Sequence, residues 1–374
     1  MAITGSDLSL YFHVPFCKSI CPYCHFYKIY YKPEMGKKYL KAIERHINTV
    51  KTTLENNNIV SIYFGGGTPS LLDTQIVEKI LTLINPPSKN IEITIEINPE
   101  DYSIDKIKKY KNMGINRVSL GVQSFDDKLL KILKRRHSSK KAKDAILDIY
   151  RCGIENISID LMYDVLHQDF KSFQKTIDEI KNLKITHISL YNLTFEKETF
   201  FYKNKKTLKN LMPDEKESLR LLNKAVLEFE KLGFKRYEIS AFAKKGFESF
   251  HNIGYWIGRS FLGFGPSAFS YFENKRFRNI KNFQKYIDAF NLNNPYIDFE
   301  EELKYPDNIN ELLAIHLRMI RGVDILKFEK GIGKIPKKTI EILKNSKLVD
   351  FEKNRVKLNK QGLLFYDTLA SEII

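Results

Sequence analysis

Short apolar segments alternate with amphipathic segments through the first half of the chain. Six apolar segments predict β-strands, because they are rich in β-branched and aromatic residues: 8–14, 59–64, 91–97, 117–122, 156–162 and 187–193. The segments between them place apolar residues at helical spacing, with Asp73 and Ser103 as N-caps and Gly114 as a terminator. Strands that alternate with helices predict an α/β fold with a parallel sheet and right-handed crossovers.

Polar residues and glycines collect where these predicted strands end. They are the cysteine-rich segment 17–24, the triple glycine 65–67, Glu96, Gln123, Asp160 and Tyr191. In α/β barrels the carboxyl ends of the strands form the rim where reactive groups gather. The pattern therefore predicts an active-site rim.

The second half of the chain predicts an extension and a small terminal domain. A helix after Pro213 and a strand at 237–242 come first, and Pro295, Glu300 and Glu301 then suggest a linker. Three helices (about 309–320, 324–330 and 337–346), a hairpin at 353–354 and a last helix from about 361 follow, in an order that resembles a winged-helix domain. Such a domain contacts DNA or packs as a partner-docking cap, and the cap is favoured because no helix here concentrates Arg, Asn and Gln. We expect domains at 1–200, 201–295 and 296–374.

Composition narrows the class of protein. The 374 residues are 43% hydrophobic, which suffices for a sizeable core. No run of 18 apolar residues and no secretory signal pattern is present, so we expect a cytoplasmic protein without a transmembrane segment. The net charge of +16 suits nucleic acid, an anionic membrane or an acidic ligand, but the basic residues are spread evenly, which favours a solvated surface. We therefore expect no nucleic-acid partner.

The strongest chemical signal is the cluster Cys17, Cys21 and Cys24, which holds three of the four cysteines. Three thiolates on one loop are able to bind a metal ion or three irons of a [4Fe-4S] cluster, whose fourth iron stays open. A zinc site is the alternative, with His13 or His25 as a fourth ligand, but zinc sites often use two cysteine pairs and no second pair exists. The fourth cysteine, Cys152, is expected on the apolar face of a helix and outside the site.

The spacing Cys-x-x-x-Cys-x-x-Cys after the first strand, followed by Phe26, resembles the radical S-adenosylmethionine (SAM) superfamily. The resemblance implies a partial (β/α)6 barrel in which the thiolates hold a [4Fe-4S] cluster and the open iron binds SAM. Reductive cleavage of SAM then yields a 5′-deoxyadenosyl radical. The glycine loop that ends in Thr68 is implied to receive the amino group of SAM.

The segments 119–125, 159–162, 187–191 and 237–241 are similar to the oxygen-independent coproporphyrinogen III oxidase family, and within it to the HemW-type heme chaperone branch. The resemblance covers about residues 8–272. It implies SAM contacts by Tyr11, Gly66, Gly67, Thr68, Glu96, Gln123, Arg135 and Asp160. A carboxylate suits ribose hydroxyls or a sulfonium, and Arg135 suits the SAM carboxylate. Each of these residues has the alternative role of a salt bridge within the barrel rim.

The motif His251-Asn252-x-x-Tyr255-Trp256 matches the heme-chaperone branch and implies a heme site. Imidazole is a standard axial ligand of heme iron, and aromatic rings pack against porphyrins. The alternative is a polar corner with the only Trp buried for packing. Arg259 and Arg276 lie near the motif and are candidates for contacts with heme propionates.

Two departures from the family pattern remain. The oxidases carry a further cysteine where this chain has Phe26, which favours the chaperone. Their usual Gly-Leu-Pro-Gly-Gln is 164–168 here, with Asp164 and His167 in place of glycine, so we expect a different loop there. The predicted function is heme binding and delivery to an acceptor protein, with the membrane surface as one place for that acceptor. Whether the chain is an enzyme stays open, since coproporphyrinogen oxidation and radical-SAM modification of RNA are alternatives.

Overall fold

The computed structural model describes residues 7–85 and 91–374. Its strands are β1 Asp7–Val14, β2 Phe16–Cys17, β3 Ile29–Tyr30, β4 Asn58–Gly66, β5 Glu92–Ile97, β6 Arg117–Gln123, β7 Asn156–Tyr163, β8 His187–Asn192, β9 Lys235–Glu238, β10 Ala241–Ala243, β11 Ser260–Phe264, β12 Phe269–Phe272, β13 Lys275–Asn279, β14 Ile297–Glu302, β15 Val323–Asp324, β16 Val349–Glu352 and β17 Arg355–Leu358. Its α-helices are α1 Pro33–Thr49, α2 Lys51–Glu55, α3 Thr74–Ile84, α4 Ile104–Asn112, α5 Asp127–Ile132, α6 Ser139–Arg151, α7 Phe170–Ile180, α8 Phe200–Lys203, α9 Lys205–Leu208, α10 Glu215–Lys231, α11 Phe250–Trp256, α12 Phe283–Leu292, α13 Asp307–His316, α14 Ile325–Gly331, α15 Lys337–Asn345 and α16 Tyr366–Ile373.

One twelve-stranded sheet organises the molecule, in the order β14-β13-β12-β11-β1-β4-β5-β6-β7-β8-β10-β9. The six strands predicted from the sequence are β1 and β4–β8, and they pair in parallel, which confirms the α/β barrel-like fold. The late strand β11 adds a seventh parallel strand on the other side of β1. The ring of Phe12 stacks between Phe64 at 5.0 Å and Phe264 at 4.8 Å, so three strands share one aromatic layer of the core.

Two local predictions in the extension were wrong. The single strand expected at 237–242 is two antiparallel strands, β9 and β10, because the chain turns at 239–240 and the Arg236 guanidinium bonds back to the Ile239 carbonyl. The expected linker around Pro295 is in part strand β14. Its carboxylates pair with cations on β13, as in Arg278 to Asp298 at 2.8 Å, so the acidic run stabilises an edge pairing.

The terminal domain has the predicted order of elements. Helices α13, α14 and α15 precede the β16–β17 hairpin, which pairs with β15, and α16 closes the domain. Leu313, Phe328, Leu343 and Val356 lie in a core separate from that of the barrel. The strands of the extension, by contrast, continue the barrel sheet. Within the described residues, no helix is long and apolar enough to cross a membrane.

Candidate functional site: a three-cysteine cavity at the barrel rim

The cysteine loop leaves the carboxyl end of β1 and is closed at its base by the short parallel pair β2–β3. Cys17, Cys21 and Cys24 all line one cavity of about 390 Å³ at the rim. Burial raises the pKa of the Cys17 thiol to about 11 and raises that of Cys24. Because buried thiols resist ionisation, a bound cation is needed to hold them as thiolates.

The arrangement of the thiols discriminates between a cluster and a single ion. Among the described residues, no three His, Cys, Asp or Glu side chains converge closely enough to hold one metal ion. The His13 ring is also committed, with Nε2 2.8 Å from the Tyr27 carbonyl and Nδ1 3.0 Å from the Tyr11 hydroxyl. His13 is therefore not the fourth ligand of a zinc ion, and the three cysteines that line one cavity suit three irons of an iron–sulfur cluster.

The triple glycine packs against the cysteine loop. The amide of Gly67 donates to the Val14 carbonyl at 2.8 Å, and the Thr68 amide donates to the Phe16 carbonyl at 2.7 Å. Gly66 has φ +108°, and a Cβ there would lie 2.6 Å from the His13 ring. The glycines are therefore required by the close approach of two loops, and the same loops leave the backbone open to the cavity.

Two half-buried carboxyl groups, those of Glu96 and Asp160, line the cavity. Glu96 accepts from the Tyr63 hydroxyl at 2.8 Å and from the Gly66 amide at 3.1 Å, while Asp160 accepts from Ser119 at 3.3 Å. Burial, and then the nearby Asp160, raise the pKa of Glu96 to about 7; burial raises the pKa of Asp160 to about 6. Each carboxyl group is therefore poised near neutral pH, where a cationic ligand would favour its ionised form.

Arg135 provides the cationic side of the cavity. Its Nη2 donates to Asn98 Oδ1 at 2.5 Å and to the Gly121 carbonyl at 2.9 Å, and its Nη1 lies 3.5 Å from Cys21 Sγ. Its buried Nε has no hydrogen-bond partner within the described residues. An orphaned guanidinium donor beside a cavity fits an anionic ligand group such as a carboxylate.

Most of the predicted SAM residues meet in this cavity. Its lining includes Gly66, Gly67, Thr68, Glu96, Gln123, Arg135 and Asp160, together with the rim residue Tyr191. Tyr11 does not line it, because its ring lies one layer deeper beside Tyr63, at 6.1 Å between centroids. The sequence interpretation missed Asn98, whose amide donates to Thr68 Oγ1 at 2.9 Å and links it to Arg135. The sequence signal that could have identified Asn98 is its position directly after the predicted third strand.

The expectation of a different loop at 164–168 stays a prediction, and the structure shows how this loop is held. Asp164 and His167 have φ +59° and +60°, so both keep the left-handed backbone that glycine would favour. Asp164 is held by Asn192 at 2.7 Å and Ser218 at 2.6 Å, and the His167 amide donates to the Leu211 carbonyl at 2.6 Å. Tertiary hydrogen bonds therefore impose the conformation that glycine adopts without cost. Cys152 is the C-cap of α6, packs against the barrel core as expected, and lies outside the cavity lining.

The motif that contains His251 lies at the opposite end of the barrel. Helix α11 closes the amino ends of the strands, because Glu92 at the start of β5 accepts the amides of Phe250 at 3.0 Å and His251 at 2.8 Å. The His251 ring is 1% exposed, with Nδ1 2.9 Å from Ser61 Oγ and Nε2 2.8 Å from the Tyr255 hydroxyl. Burial lowers the pKa of His251 to about 3, so the imidazole is neutral with both nitrogens in use.

The other members of the motif also contact protein. The Arg318 guanidinium lies 4.3 Å over the Trp256 ring, and Asn252 donates its amide to the Ser249 cap. Arg259 is buried and donates to the Phe250 carbonyl at 3.1 Å, while Arg276 forms ion pairs with two glutamates of β14 and α13. The expectation that Arg259 and Arg276 are free to meet propionates was therefore wrong.

The comparisons with known proteins agree with this geometry. Residues 11–180 match the family model described as the radical SAM superfamily. The heme chaperone HemW of Bacillus subtilis is 34% identical, over 87% of this chain and 87% of that protein, and HemW of Lactococcus lactis is 32% identical over 95% and 94%. The structure titled as the coproporphyrinogen III oxidase HemN of Escherichia coli superposes with a TM-score of 0.86 at 21% identity, over 98% of this chain and 90% of that one.

The fold and the three-cysteine cavity thus define a radical SAM protein, a class whose domain implies SAM and a [4Fe-4S] cluster. Within that class, the extent and level of identity show that the chain belongs to the HemW heme chaperone family.

Proposed function

We propose that this protein binds heme and passes it to an acceptor protein, and that it carries a SAM-binding [4Fe-4S] cluster at the barrel rim. The observation that carries the proposal is about one-third identity to proteins named as heme chaperones along nearly the whole chain. Phe26 supports it, because the oxidases place a further cysteine there. The acceptor is proposed to be a protein reached in solution or at a membrane surface.

The residues of the cavity have distinct proposed roles. Cys17, Cys21 and Cys24 would hold the cluster, which with SAM supplies one-electron chemistry at the sulfonium. Arg135, as the cationic lining residue, binds the carboxylate of the cofactor, and Glu96 accepts hydrogen bonds or offsets positive charge.

The contribution of the His251 motif to heme binding stays a prediction. As an axial ligand, His251 would have to give up its contact with Tyr255 or Ser61 and reach a ligand past helix α11. The four residues of the motif, His251, Asn252, Tyr255 and Trp256, are proposed as a heme site only in a conformation in which that helix has moved.

The proposal is tested on anaerobically reconstituted full-length protein. Heme titration followed at the Soret band should saturate at one heme per chain, while coproporphyrinogen III should stay unconverted in the presence of SAM and reductant. Cys17→Ala should lose the cluster absorption, and the matched control Cys152→Ala should keep it, because Cys152 lies outside the cavity. Turnover of coproporphyrinogen III without heme uptake would overturn the proposal in favour of the oxidase.

A further inference from the structure

The mouth of the cavity carries a histidine side chain that makes no hydrogen bond to the described residues. His25 is exposed, lines the cavity directly after Cys24, and has no hydrogen-bond partner on either nitrogen among the described residues. Its ring lies 4.5 Å from that of Phe26. His25 is thus free to donate a nitrogen lone pair to a ligand.

The other histidines are not equivalent. The chain has eight, and the rings of six make hydrogen bonds to protein: those of His13, His46, His137, His187, His251 and His316. His167 lies on a loop outside the cavity lining. His25 is therefore the one histidine of the lining residues, and it is placed above the three thiols.

Two exposed aromatic rings lie near the mouth of the cavity. Phe26, next to His25, is 54% exposed, and Phe200, whose ring contacts the lining residue Lys134, is 55% exposed. Exposed apolar surface that is grouped at a cavity is typical of ligand sites. Phe200 opens α8, which is anchored to the cysteine loop through the amide of Phe201 and the Pro22 carbonyl at 3.1 Å. The cysteine loop and α8 thus each contribute an exposed apolar ring.

Two cations at the mouth have no carboxylate partner within the described residues. Lys134 extends over the Phe200 ring, 5.3 Å from its centroid, from a backbone with φ +52°, and Arg136 is exposed beside it. Lys18, in contrast, is paired with Asp101 at 2.7 Å, and Lys28 bonds to backbone carbonyls. Glu196, a half-buried carboxylate of the lining, accepts from the Thr194 hydroxyl at 2.7 Å. Apolar rings beside free cations suit a flat apolar ligand that bears carboxylates.

We propose that heme docks across this mouth, with His25 as an axial ligand of the iron, Phe26 and Phe200 against the macrocycle, and Lys134 and Arg136 on its carboxylates. The inference deepens the proposed function and rests on it. It moves the heme from the floor of the barrel to the rim, where it would cover the cluster cavity. Imidazole nitrogen is a common axial donor, and the binding step exchanges only ligands on the iron.

The test compares matched histidine variants in the reconstituted full chain. His25→Gly should lower heme affinity at least tenfold and change the spin state of ferric heme in its EPR spectrum, and added imidazole should restore the wild-type signal. His251→Ala should leave that EPR signal unchanged. Lys134→Glu with Arg136→Glu should weaken heme binding severalfold while the EPR spectrum of the reduced cluster stays as in wild type.

The outcomes separate this inference from the proposed function. If wild type takes up heme and His25→Gly keeps the wild-type affinity and heme spectrum, the rim site is wrong and heme binding stands. If wild type takes up no heme, the proposed function itself fails. If His25→Gly also loses the reduced-cluster spectrum, its heme affinity does not separate a lost axial ligand from a damaged cysteine loop. Lys134→Glu with Arg136→Glu leaves the cysteine loop intact and is then the deciding variant. Unchanged heme affinity in that variant overturns the inference.

Discussion

The rim of the barrel, at the carboxyl ends of the strands, and its floor, at their amino ends, are built from similar residues. They differ in how far the polar side chains are paired by hydrogen bonds. At the floor, His251, Ser61 and Tyr255 form a closed set of hydrogen bonds under helix α11, although the buried Trp256 Nε1 has no partner among the described residues. At the rim, Arg135 keeps an unpartnered donor and His25 keeps a free ring. Buried polar groups that are fully paired stabilise a fold, whereas unpaired groups beside a cavity point to a ligand. Residues that match a family motif therefore need not be the residues that bind the ligand.

Among the experiments that test this difference between rim and floor, substitutions at the floor should have the largest effect, on the free energy of unfolding. His251→Ala removes a buried ring and leaves Ser61 and Tyr255 without their partner, which should lower the free energy of unfolding by about 3 kcal/mol. Tyr255→Phe, which removes one hydroxyl, should cost about 1 kcal/mol. Urea unfolding measures both. A fully stable His251→Ala protein that no longer binds heme would instead make the floor a ligand site.

The rim and the floor should respond to pH with opposite signs. Since the pKa of Glu96 is raised from 4.5 to about 7, the folded chain holds a proton there that the unfolded chain releases, and the contribution of Glu96 to stability without ligand falls as pH rises through that interval. The pKa of His251 is lowered from 6.5 to about 3, so the contribution of His251 rises with pH between those values. A cationic cofactor favours the ionised carboxylate. SAM affinity, measured by calorimetry on cluster-loaded protein, should therefore rise by up to about tenfold per pH unit below 7 and level off above it. Glu96→Gln should flatten this profile, and an unchanged profile would exclude Glu96 as its source.

The smallest expected effect concerns the loop next to the rim. His167 is exposed at φ +60°, so His167→Gly should relieve backbone strain and raise the free energy of unfolding by about 0.5 kcal/mol after the added entropy of the unfolded chain. Asp164→Gly makes the same backbone change but loses the bonds to Asn192 and Ser218, so it should destabilise by about 1 kcal/mol. Equal signs for the two variants would contradict this account of the loop.

The sequence predicted what local patterns encode. Periodicity located six of the seven parallel strands, Asp73 and Ser103 cap helices as expected, and the strand ends led to the cavity. What failed depends on partners that the local pattern does not show. The turn at 239–240 is held by Arg236, and strands β11 and β14 are fixed by pairing with other strands of the sheet. No pattern showed that the His251 ring is enclosed, because Ser61 lies 190 positions away in the chain.

The placement of β1 has a consequence for how the protein is made. This strand delivers the cysteine loop, and it pairs on one side with β4 and on the other with β11, whose last residue is Phe264. During synthesis the ribosome must therefore release more than two-thirds of the chain before β1 has both neighbours. Until then its second edge stays open to wrong pairing. Strand β1 is synthesised before both of its neighbours and gains the second of them late. The sheet beneath the cysteine loop is therefore completed late in synthesis.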